Sequence, residues 1–278
     1  MIDSPSNPLV KELQALQTPK GRREQCRFLV EGVRLVSDAL GAGWWPHTLL
    51  YNREALRKTE LGTELLYRVS ESRIMEDYRG MIQEAGERAI AAASSTQHPQ
   101  GVVASFAIPD RELPGAKGGA PLVLIGDDIQ DPGNLGTILR TAEAAGVSSV
   151  LLTPDSVDLY NPKVVRAGMG AHFRLPAYRD LTWEQIHTIV EQVGIKPGRI
   201  FATDAAAEQT YDAVDWKQPS ALIVSNEAHG LSARAREAAD GGLIGIPMQG
   251  GTESLNAAMA ATVVLFEAAR QRRGGMRG

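Results

Sequence analysis

Three polar loops of the sequence carry the residues best suited to hold a ligand. They are GDDIQDPGNLG at 126–136, SNEAHGLS at 225–232 and PMQGGTESLN at 247–256. Each loop follows an apolar run typical of a buried strand, and ligands of open α/β sheets bind outside the carboxyl ends of the strands. Taken singly, each loop also fits ordinary turn chemistry. The sequence contains neither GxGxxG nor GxxxxGK[ST], which argues against a nucleotide-binding enzyme of another chemistry.

Asn134 and Arg140 are the side chains near the first loop that could act on a substrate. Asn134 occupies a predicted N-cap position, and Arg140 follows six residues later, roughly 9 Å further along a helix that rises 1.5 Å per residue. Helical side chains lean toward the N-terminus, so the long arginine can reach back to the same rim. Taken alone, both residues also fit simpler roles, a helix cap and a solvated helix face.

The apolar runs around these loops predict a parallel sheet. They are LVLI (122–125), SVLLT (149–153), RIFAT (199–203), ALIVS (221–225) and LIGIP (243–247), separated by segments compatible with helices. Such alternation indicates an α/β domain whose parallel sheet is covered on both faces. Between the first two runs, apolar residues recur at helical spacing up to Gly146, which is predicted to end that helix.

The last predicted helix, at 256–270, is apolar on nearly every face, as its segment AAMAATVVLFEAA shows. A helix of this kind must be buried all round. One face can pack on the sheet, and the other needs a second partner, for which an identical subunit is the simplest choice. Burial wholly within one chain fits the periodicity equally well.

A glycine-rich stretch at 109–120 predicts the boundary between two domains, because it lacks any periodic apolar pattern. We predict an N-terminal α/β domain at 1–108, a linker at 109–120 and a catalytic domain at 121–278. Within the N-terminal domain, the predicted strands are 28–30, 48–51, 65–69 and 102–108, and the predicted helices are 33–40 and 71–93.

Composition narrows the functional classes. The chain has 278 residues, of which 43% are hydrophobic, enough for two domains with cores of their own. The single cysteine, Cys26, excludes an internal disulfide, and the five histidines form no metal-binding pattern, so we predict no metal site. No apolar run approaches the roughly 18 residues of a membrane span, and the N-terminus lacks a signal peptide. We therefore expect a cytoplasmic protein without a membrane partner.

Three segments resemble, in order and spacing, the three sequence motifs of the SpoU (TrmH-like) family of RNA 2′-O-ribose methyltransferases, within the SPOUT superfamily. They are DPGNLGTILRTAEAAG, ALIVSNEAHGLS and IPMQGGTESLNAAMAATVVLFEAAR, and NPKVVRAGMGAHFRLP is similar to the segment between the first two motifs. The N-terminal part, from SNPLVKELQAL to SSTQHPQGVVASF, looks like the ribosomal-protein-like substrate-binding domain of many members. The resemblance implies a catalytic domain with a deep trefoil knot, although knots are nearly absent from proteins.

The resemblance also implies S-adenosylmethionine as the cofactor, RNA as the substrate and a homodimer as the assembly. Ribosomal RNA is favoured over transfer RNA. The residues that match the cofactor-binding positions of the family are Thr203, Ser225, Asn226, Glu227, Gly230, Ile246, Met248 and Leu255. One departure is visible, because Ser225 stands where the second motif usually has glycine.

The catalytic residues implied by the resemblance are Asn134, Arg140, Glu227, Ser254 and Asn256. They argue against a catalytically silent RNA-binding relative. A guanidinium is a poor proton acceptor, so we expect Arg140 to stabilise the developing alkoxide of the ribose rather than act as a base. The overall charge of −4 does not favour nucleic acid, yet the N-terminal segment is locally basic. The candidate RNA contacts are Arg22, Arg23, Arg27 and Arg166, and the basic segment also fits a solvated surface.

Overall fold

The structure is a computed structural model that describes residues 1–70, 81–112, 114, 120–226, 230–251 and 254–274. The chain forms two compact units. The first unit contains Met1–Asp110 and Tyr160–Phe173, and the second contains Arg111–Leu159 and Arg174–Gly278. Nothing in the sequence had indicated that 160–173 would join the first unit. The linker at 109–120 stays a prediction.

The elements alternate along much of the chain. The strands are β1 (Arg27–Glu31), β2 (Thr48–Tyr51), β3 (Ile82–Glu84), β4 (Val102–Ala107), β5 (Leu122–Asp127), β6 (Ser149–Leu152), β7 (Ala177–Tyr178), β8 (Ile200–Thr203), β9 (Ser220–Ser225) and β10 (Gly242–Ile244). The helices are α1 (Pro8–Ala15), α2 (Pro19–Gln25), α3 (Val33–Gly41), α4 (Arg53–Leu56), α5 (Glu60–Ser70), α6 (Glu87–Ala93), α7 (Pro132–Ala144), α8 (Pro162–Ala167), α9 (Ala171–Arg174), α10 (Trp183–Gln192), α11 (Ala233–Ala238) and α12 (Ala257–Gly274).

The first unit is built on a four-stranded sheet in the order β1-β4-β2-β3. Strand β4 runs antiparallel to both β1 and β2, whereas β2 and β3 are parallel. The strand predicted at 65–69 is wrong, because those residues lie in α5. Leu65, Leu66 and Val69 are buried while Tyr67 is exposed, the pattern of one helix face rather than of an alternating strand. Of the helix predicted at 71–93, residues 71–80 lie outside the described residues, and β3 and α6 occupy much of the remainder.

An aromatic cluster explains why 160–173 belongs to the first unit. The Phe28 ring of β1 lies 4.8 Å from that of Tyr160 and 6.2 Å from that of Phe173, measured between ring centroids. Phe106 of β4 also packs on Phe173, at 5.7 Å. Large buried rings contribute much of a core's stability, so Tyr160 and Phe173 fix both ends of the segment to this sheet.

The second unit contains the predicted parallel sheet, in the order β10-β8-β9-β5-β6-β7. All five pairings of neighbouring strands are parallel. The five apolar runs of the sequence correspond to β5, β6, β8, β9 and β10, and β7 was not predicted. Side chains of β5 and β9 pack with Ile186 and Ile189 of α10 in one buried cluster. The strands are thus part of the core, and the loops that follow them are the parts of the sheet that can contact a ligand.

Helix α7 begins one turn earlier than the sequence indicated. Asp131 is its N-cap, and the Asp131 carboxylate accepts a hydrogen bond from the Asn134 amide at 2.7 Å. The interpretation of Asn134 as the cap is therefore wrong, and Asn134 lies in the first turn. Gly146 follows the C-terminal end of the helix with φ at +79°, as predicted for a residue that leaves the helix in a left-handed conformation.

Helix α12 is not buried all round within this chain. Ala261, Val264 and Leu265 are fully buried, whereas Met259 is 51% exposed and Phe266 is 44% exposed. The helix packs on α7, where the Thr141 and Thr262 hydroxyl oxygens lie 3.2 Å apart. No described helix, α12 included, is both long and apolar enough to cross a membrane.

Arg272, near the end of α12, ties that helix to the start of the sheet. Its guanidinium donates to the carbonyls of Ala120 at 2.6 Å and Pro121 at 3.2 Å, directly before β5. It also donates to the carbonyls of Trp216 at 2.8 Å and Gln218 at 3.1 Å, just before β9. One planar group thus satisfies four backbone acceptors.

Candidate active site and cofactor cavity

A cavity of about 310 Å³ lies in the second unit, beside the ends of β8, β9 and β10. Its position is the one expected for a ligand site of an open parallel sheet. Main-chain and side-chain atoms of three separate loops and of the first turn of α12 form its walls. The lining residues are Thr203, Asp204, Ala205, Ser225, Asn226, Gly230, Leu231, Arg236, Ile244, Ile246, Met248, Ser254, Leu255, Ala257 and Ala260.

The structure brings the cofactor-binding candidates of the sequence together around this one cavity. Seven of the eight line it, drawn from four segments between positions 203 and 255: Thr203, Ser225, Asn226, Gly230, Ile246, Met248 and Leu255. The eighth, Glu227, lies outside the described residues. Ser254, a catalytic candidate, is exposed and also lines the cavity.

The loop after β9 closes on itself through its backbone. The Gly230 amide donates to the Asn226 carbonyl at 2.9 Å. Gly230 has φ at +66°, a left-handed conformation that glycine adopts without strain. This bond brings Asn226 and Gly230 together, and both line the cavity.

Ser225 is held by a buried carboxylate that the sequence did not single out. The Ser225 hydroxyl lies 2.6 Å from the Gly230 carbonyl and 3.2 Å from the Asp127 carboxylate. The same carboxylate accepts from the Ser232 amide at 3.0 Å and from the Ser232 hydroxyl at 3.2 Å. Asp127 is only 3% exposed, and a buried carboxylate is stable only when such donors surround it. We call these three side chains the Asp127 latch, since they hold both ends of the loop after β9.

Asp204 and Arg236 form an ion pair in the cavity lining, which the sequence analysis also missed. The Arg236 guanidinium lies 2.8 Å from the Asp204 carboxylate. The pKa of Asp204 is lowered, first by a hydrogen bond from the Ala206 amide and then by Arg236, against an opposing effect of burial. The carboxylate is therefore ionised at neutral pH.

The two asparagines proposed as catalytic are in direct contact. The Asn256 amide donates to the Asn134 side-chain oxygen at 3.0 Å. The Asn256 oxygen in turn accepts from the amides of Ala258 at 3.0 Å and Met259 at 3.3 Å, which makes it the cap of α12. The start of α12 thereby positions a polar side chain on α7.

Arg140 is exposed on α7. Among the residues that the structure describes, none accepts a hydrogen bond or forms an ion pair with its guanidinium. An unpaired guanidinium keeps all five of its N–H donors available for a substrate oxygen or phosphate.

The candidate RNA contacts are arranged differently from one another. Arg22 is 2% exposed and donates to the Leu16 carbonyl at 2.8 Å, so its prediction as a direct RNA contact is wrong. Arg27 forms an ion pair with Glu12 at 2.8 Å, and Arg166 forms one with Glu31 at 3.5 Å. Arg23 is exposed. Several of the basic side chains proposed to bind RNA therefore already contact other residues of the first unit.

Within the described ranges, no group of three or more His, Cys, Asp or Glu side chains is arranged to bind a metal ion. The polar atoms around the cavity are hydroxyl, amide and backbone groups together with one ion pair. Such a lining suits an organic molecule with both polar and apolar parts.

Comparison with known proteins supports both units. Residues 121–266 match the model of the SpoU rRNA Methylase family, and residues 7–104 match an MRM3-like substrate binding domain. The chain is 33% identical to the 23S rRNA (guanosine(2553)-2′-O)-methyltransferase RlmP of Bacillus subtilis, with 95% of this chain and 97% of that protein covered. It is 34% identical to the mitochondrial rRNA methyltransferase 3 of Homo sapiens, over 91% of this chain and 70% of that protein.

A solved structure agrees over nearly the whole length. The SpoU methyltransferase AviRb of Streptomyces viridochromogenes, in complex with the cofactor AdoMet, has a TM-score of 0.81 and 32% identity. The match covers 96% of this chain and 98% of that one.

Proposed function

Because this chain belongs to the SpoU rRNA methylase family, we propose that it methylates a ribose 2′-hydroxyl of large-subunit ribosomal RNA. It is an S-adenosylmethionine-dependent RNA 2′-O-methyltransferase. The observation that carries the proposal is the cavity of the second unit, where residues of three separate loops converge as the family motifs require. The 23S rRNA substrates named for the Bacillus subtilis relative and the ribosomal names of others favour the large subunit.

The cavity fits the cofactor in size and in chemistry. At about 310 Å³ it lies at the lower end of the range for small-molecule pockets. Ile246, Met248 and Leu255 supply apolar walls, and Ser225 and Asn226 supply polar groups. When bound, S-adenosylmethionine supplies an electrophilic methyl group on a sulfonium. The Asp127 latch holds the cavity wall in place through Ser225.

The polar residues of α7 and of the start of α12 would bind and orient the ribose. The 2′-hydroxyl, which RNA has and DNA lacks, would form a bond to the methyl carbon as the carbon–sulfur bond breaks, and its proton would be released to solvent. We assign to Arg140 the stabilisation of the developing negative oxygen, because its guanidinium offers five N–H donors and has no partner among the described residues. Asn134 would orient the ribose or the arginine, and Asn256 holds Asn134. Ser254 would contribute a hydroxyl at the cavity rim.

We also propose a homodimer formed through the exposed side of α12. Met259 and Phe266 lie two turns apart on that side and are both about half exposed, which places apolar area in water. Replacement of Phe266 by Glu is expected to give monomers of half the wild-type mass by light scattering, while Lys217→Glu on the exposed surface is the matched control. A wild-type enzyme that is monomeric and fully active would contradict this proposal.

We propose a cytoplasmic location as well. The relative from Bacillus subtilis is named for 23S ribosomal RNA, and bacteria make their ribosomal RNA in the cytoplasm.

The function is tested by mapping ribose methylation. Protein-free 23S ribosomal RNA is incubated with the purified chain and S-adenosylmethionine, and 2′-O-methyl sites are located by their resistance to alkaline cleavage. We expect one new site that is absent when Arg140→Ala replaces the wild type. Methylation of a base rather than of a ribose, or transfer to transfer RNA alone, would overturn the proposed substrate.

A further inference from the structure

A second cavity, of about 280 Å³, lies in the first unit. It is nearly as large as the cavity of the second unit, and the function proposed above does not use it. Residues from the end of β1, the start of α3, the loop before β4 and the end of α8 line it. Those that carry hydrogen-bonding or charged groups are Glu31, Arg34, Ser94, Thr96, His98, Gln100 and Arg166.

A buried carboxylate fixes one wall of this cavity. The Glu31 side chain is 6% exposed and lies 3.5 Å from the Arg166 guanidinium. It accepts hydrogen bonds from the Ser94 and Ser95 hydroxyls, and from the Ser95 amide at 3.0 Å. Only the carboxylate of this pair is buried, and a buried carboxylate is stable when hydrogen-bond donors surround it. The donors that hold Glu31 thereby place its partner, Arg166, at the cavity wall.

The same network anchors one end of the Arg166 guanidinium. Its Nη1 donates to the Ser95 hydroxyl at 2.5 Å and lies 3.5 Å from the Glu31 carboxylate. The side chain remains 33% exposed. A guanidinium plane is a surface on which an unstacked base can lie.

The remaining polar groups are available for a ligand. Arg34 and His98 are exposed, and neither side chain has a hydrogen bond or ion pair with a described residue. Gln100 uses its side-chain oxygen to accept from the Val33 amide at 3.2 Å, so its amide nitrogen is left to donate elsewhere. These groups can contact the edge of a base and a phosphate at the same time.

The backbone beside the cavity adopts an unusual conformation. Met169, which lines the cavity, has φ at +45°. A positive φ is uncommon outside glycine, and such residues cluster at ligand sites. The conformation places an apolar side chain in the lining next to the polar groups of Arg166.

We propose that this cavity binds one unpaired nucleotide of the ribosomal RNA, a nucleotide other than the one that is methylated. The inference rests on the proposed function for its choice of RNA. Proteins read RNA mainly through splayed single-stranded bases that stack on aromatic or arginine groups and are hydrogen-bonded along their edges. A cavity with apolar and amide groups, a guanidinium anchored at one nitrogen and two exposed basic side chains meets that description. A site for phosphate alone would not place the Glu31 carboxylate in its wall.

The test compares two doubly substituted full-length proteins. Arg34→Ala with His98→Ala removes the exposed groups of the cavity, and Arg57→Ala with Lys58→Ala removes two exposed cations elsewhere on the first unit. We expect the first protein to bind protein-free 23S ribosomal RNA about tenfold more weakly and to show a higher KM for RNA with an unchanged kcat. The control should change RNA affinity less than about threefold, consistent with a lost nonspecific contact. Both should bind S-adenosylmethionine as the wild type does.

Ultraviolet crosslinking of the wild type to the same RNA gives an independent result. Nucleotide adducts are expected on peptides that contain 94–100 or 160–173. Adducts confined to other peptides, or equal RNA affinity of the two double variants, would overturn the proposal while wild-type methylation leaves the proposed function intact. A free nucleoside monophosphate that binds the wild type but not the cavity variant, with RNA affinity unaltered, would reassign the cavity to a small molecule. Loss of methylation in the wild type itself would count against the proposed function instead.

Discussion

The two cavities are close in volume, about 310 and 280 Å³, yet they are built on different principles. The cavity of the second unit is formed by loops after parallel strands, and most of its polar groups are hydroxyls, amides and backbone atoms. Each cavity has one ion pair in its wall, Asp204 with Arg236 in the second unit and Glu31 with Arg166 in the first. The cavity of the first unit differs in having two further exposed basic side chains, Arg34 and His98. The first kind of wall suits one constant cofactor, whereas the second suits part of a large polyanion. If the cavity of the first unit binds RNA as we propose, this chain holds its cofactor and its substrate in two separately built sites.

The largest expected effect lies outside both cavity linings, at Arg140. Replacement by Lys keeps the charge but loses the planar fork. Turnover should fall by about 100-fold or more, roughly 3 kcal/mol of transition-state stabilisation, with S-adenosylmethionine affinity and thermal stability near wild type. Single-turnover rates across pH on the same RNA measure this. Strong recovery of the Lys variant toward pH 10, near the ordinary lysine pKa of about 10.4, would assign Arg140 to proton abstraction instead.

The next effect tests whether the cavity of the second unit depends on the Asp127 latch. Asp127→Asn turns an acceptor of several hydrogen bonds into a partial donor in a buried place. The free energy of unfolding should fall by about 2 kcal/mol, and S-adenosylmethionine should bind about tenfold more weakly. Calorimetry measures both quantities.

Ser225→Gly is the matched control for the latch, because it restores the residue usual in the family and leaves the Ser232 contacts with Asp127 in place. We expect it to change cofactor affinity less than about threefold. The Ser225 hydroxyl has one proton, and its shorter contact is with the neutral Gly230 carbonyl; the loss of such a hydrogen bond costs about 1 kcal/mol or less. If both variants bind S-adenosylmethionine equally weakly, cofactor affinity depends on the Ser225 hydroxyl and not on the Asp127 carboxylate.

A smaller effect is expected from the contact between the asparagines. Asn256→Asp keeps the acceptor that caps α12 but cannot donate to Asn134, whereas Asn256→Ala loses both. The Asp variant should retain wild-type stability and lose roughly fivefold in turnover, while the Ala variant should lose in addition about 1 kcal/mol of stability. Thermal unfolding and single-turnover rates separate the two. Equal turnover of the Asp variant and the wild type would exclude Asn134 positioning by this bond.

The smallest effect concerns Asp204. Its pKa is lowered in the folded chain, so its contribution to stability is complete above the ordinary aspartate pKa of about 3.9 and is lost as pH falls through the lower folded value. Stability should therefore depend less steeply on pH below about 4 in Asp204→Asn than in the wild type. The difference should stay below about 1 kcal/mol, because the pair with Arg236 is partly exposed. Thermal unfolding between pH 2.5 and 7 measures it, and parallel curves would remove Asp204 from the acid response.

The sequence predicted the second unit better than the first for a physical reason. Parallel strands buried on both faces are written as continuous apolar runs, so β5, β8 and β9 and the loops after them were visible. The strand predicted at 65–69 failed because a short apolar run carries no decisive period. Residues 160–173 joined the first unit through Tyr160 and Phe173, a long-range packing that no local pattern records.

The candidate site was predictable where it depends on motifs and not where it depends on burial. The loop residues Ser225, Asn226 and Gly230 were named from the sequence and line the cavity. Asp127 was not, because an aspartate at the end of a strand looks the same whether it is solvated or buried. The prediction that Arg22 contacts RNA was wrong for the same reason. A basic cluster in the sequence does not reveal that one of its members is buried and donates to a backbone carbonyl.

Arg272 has a consequence for the order of events during translation. The Ala120 and Pro121 carbonyls, before β5, accept hydrogen bonds from Arg272, which lies 152 and 151 positions later in the chain. At the usual pace of about 5 to 20 residues per second, the ribosome needs roughly 8 to 30 s to supply it. During that interval the nascent second unit has β5 but not the group that donates to the carbonyls before its two central strands, β5 and β9. We therefore expect this half of the chain to reach its native state only after Arg272 leaves the ribosome, and to depend on chaperones longer than the first unit's N-terminal part does.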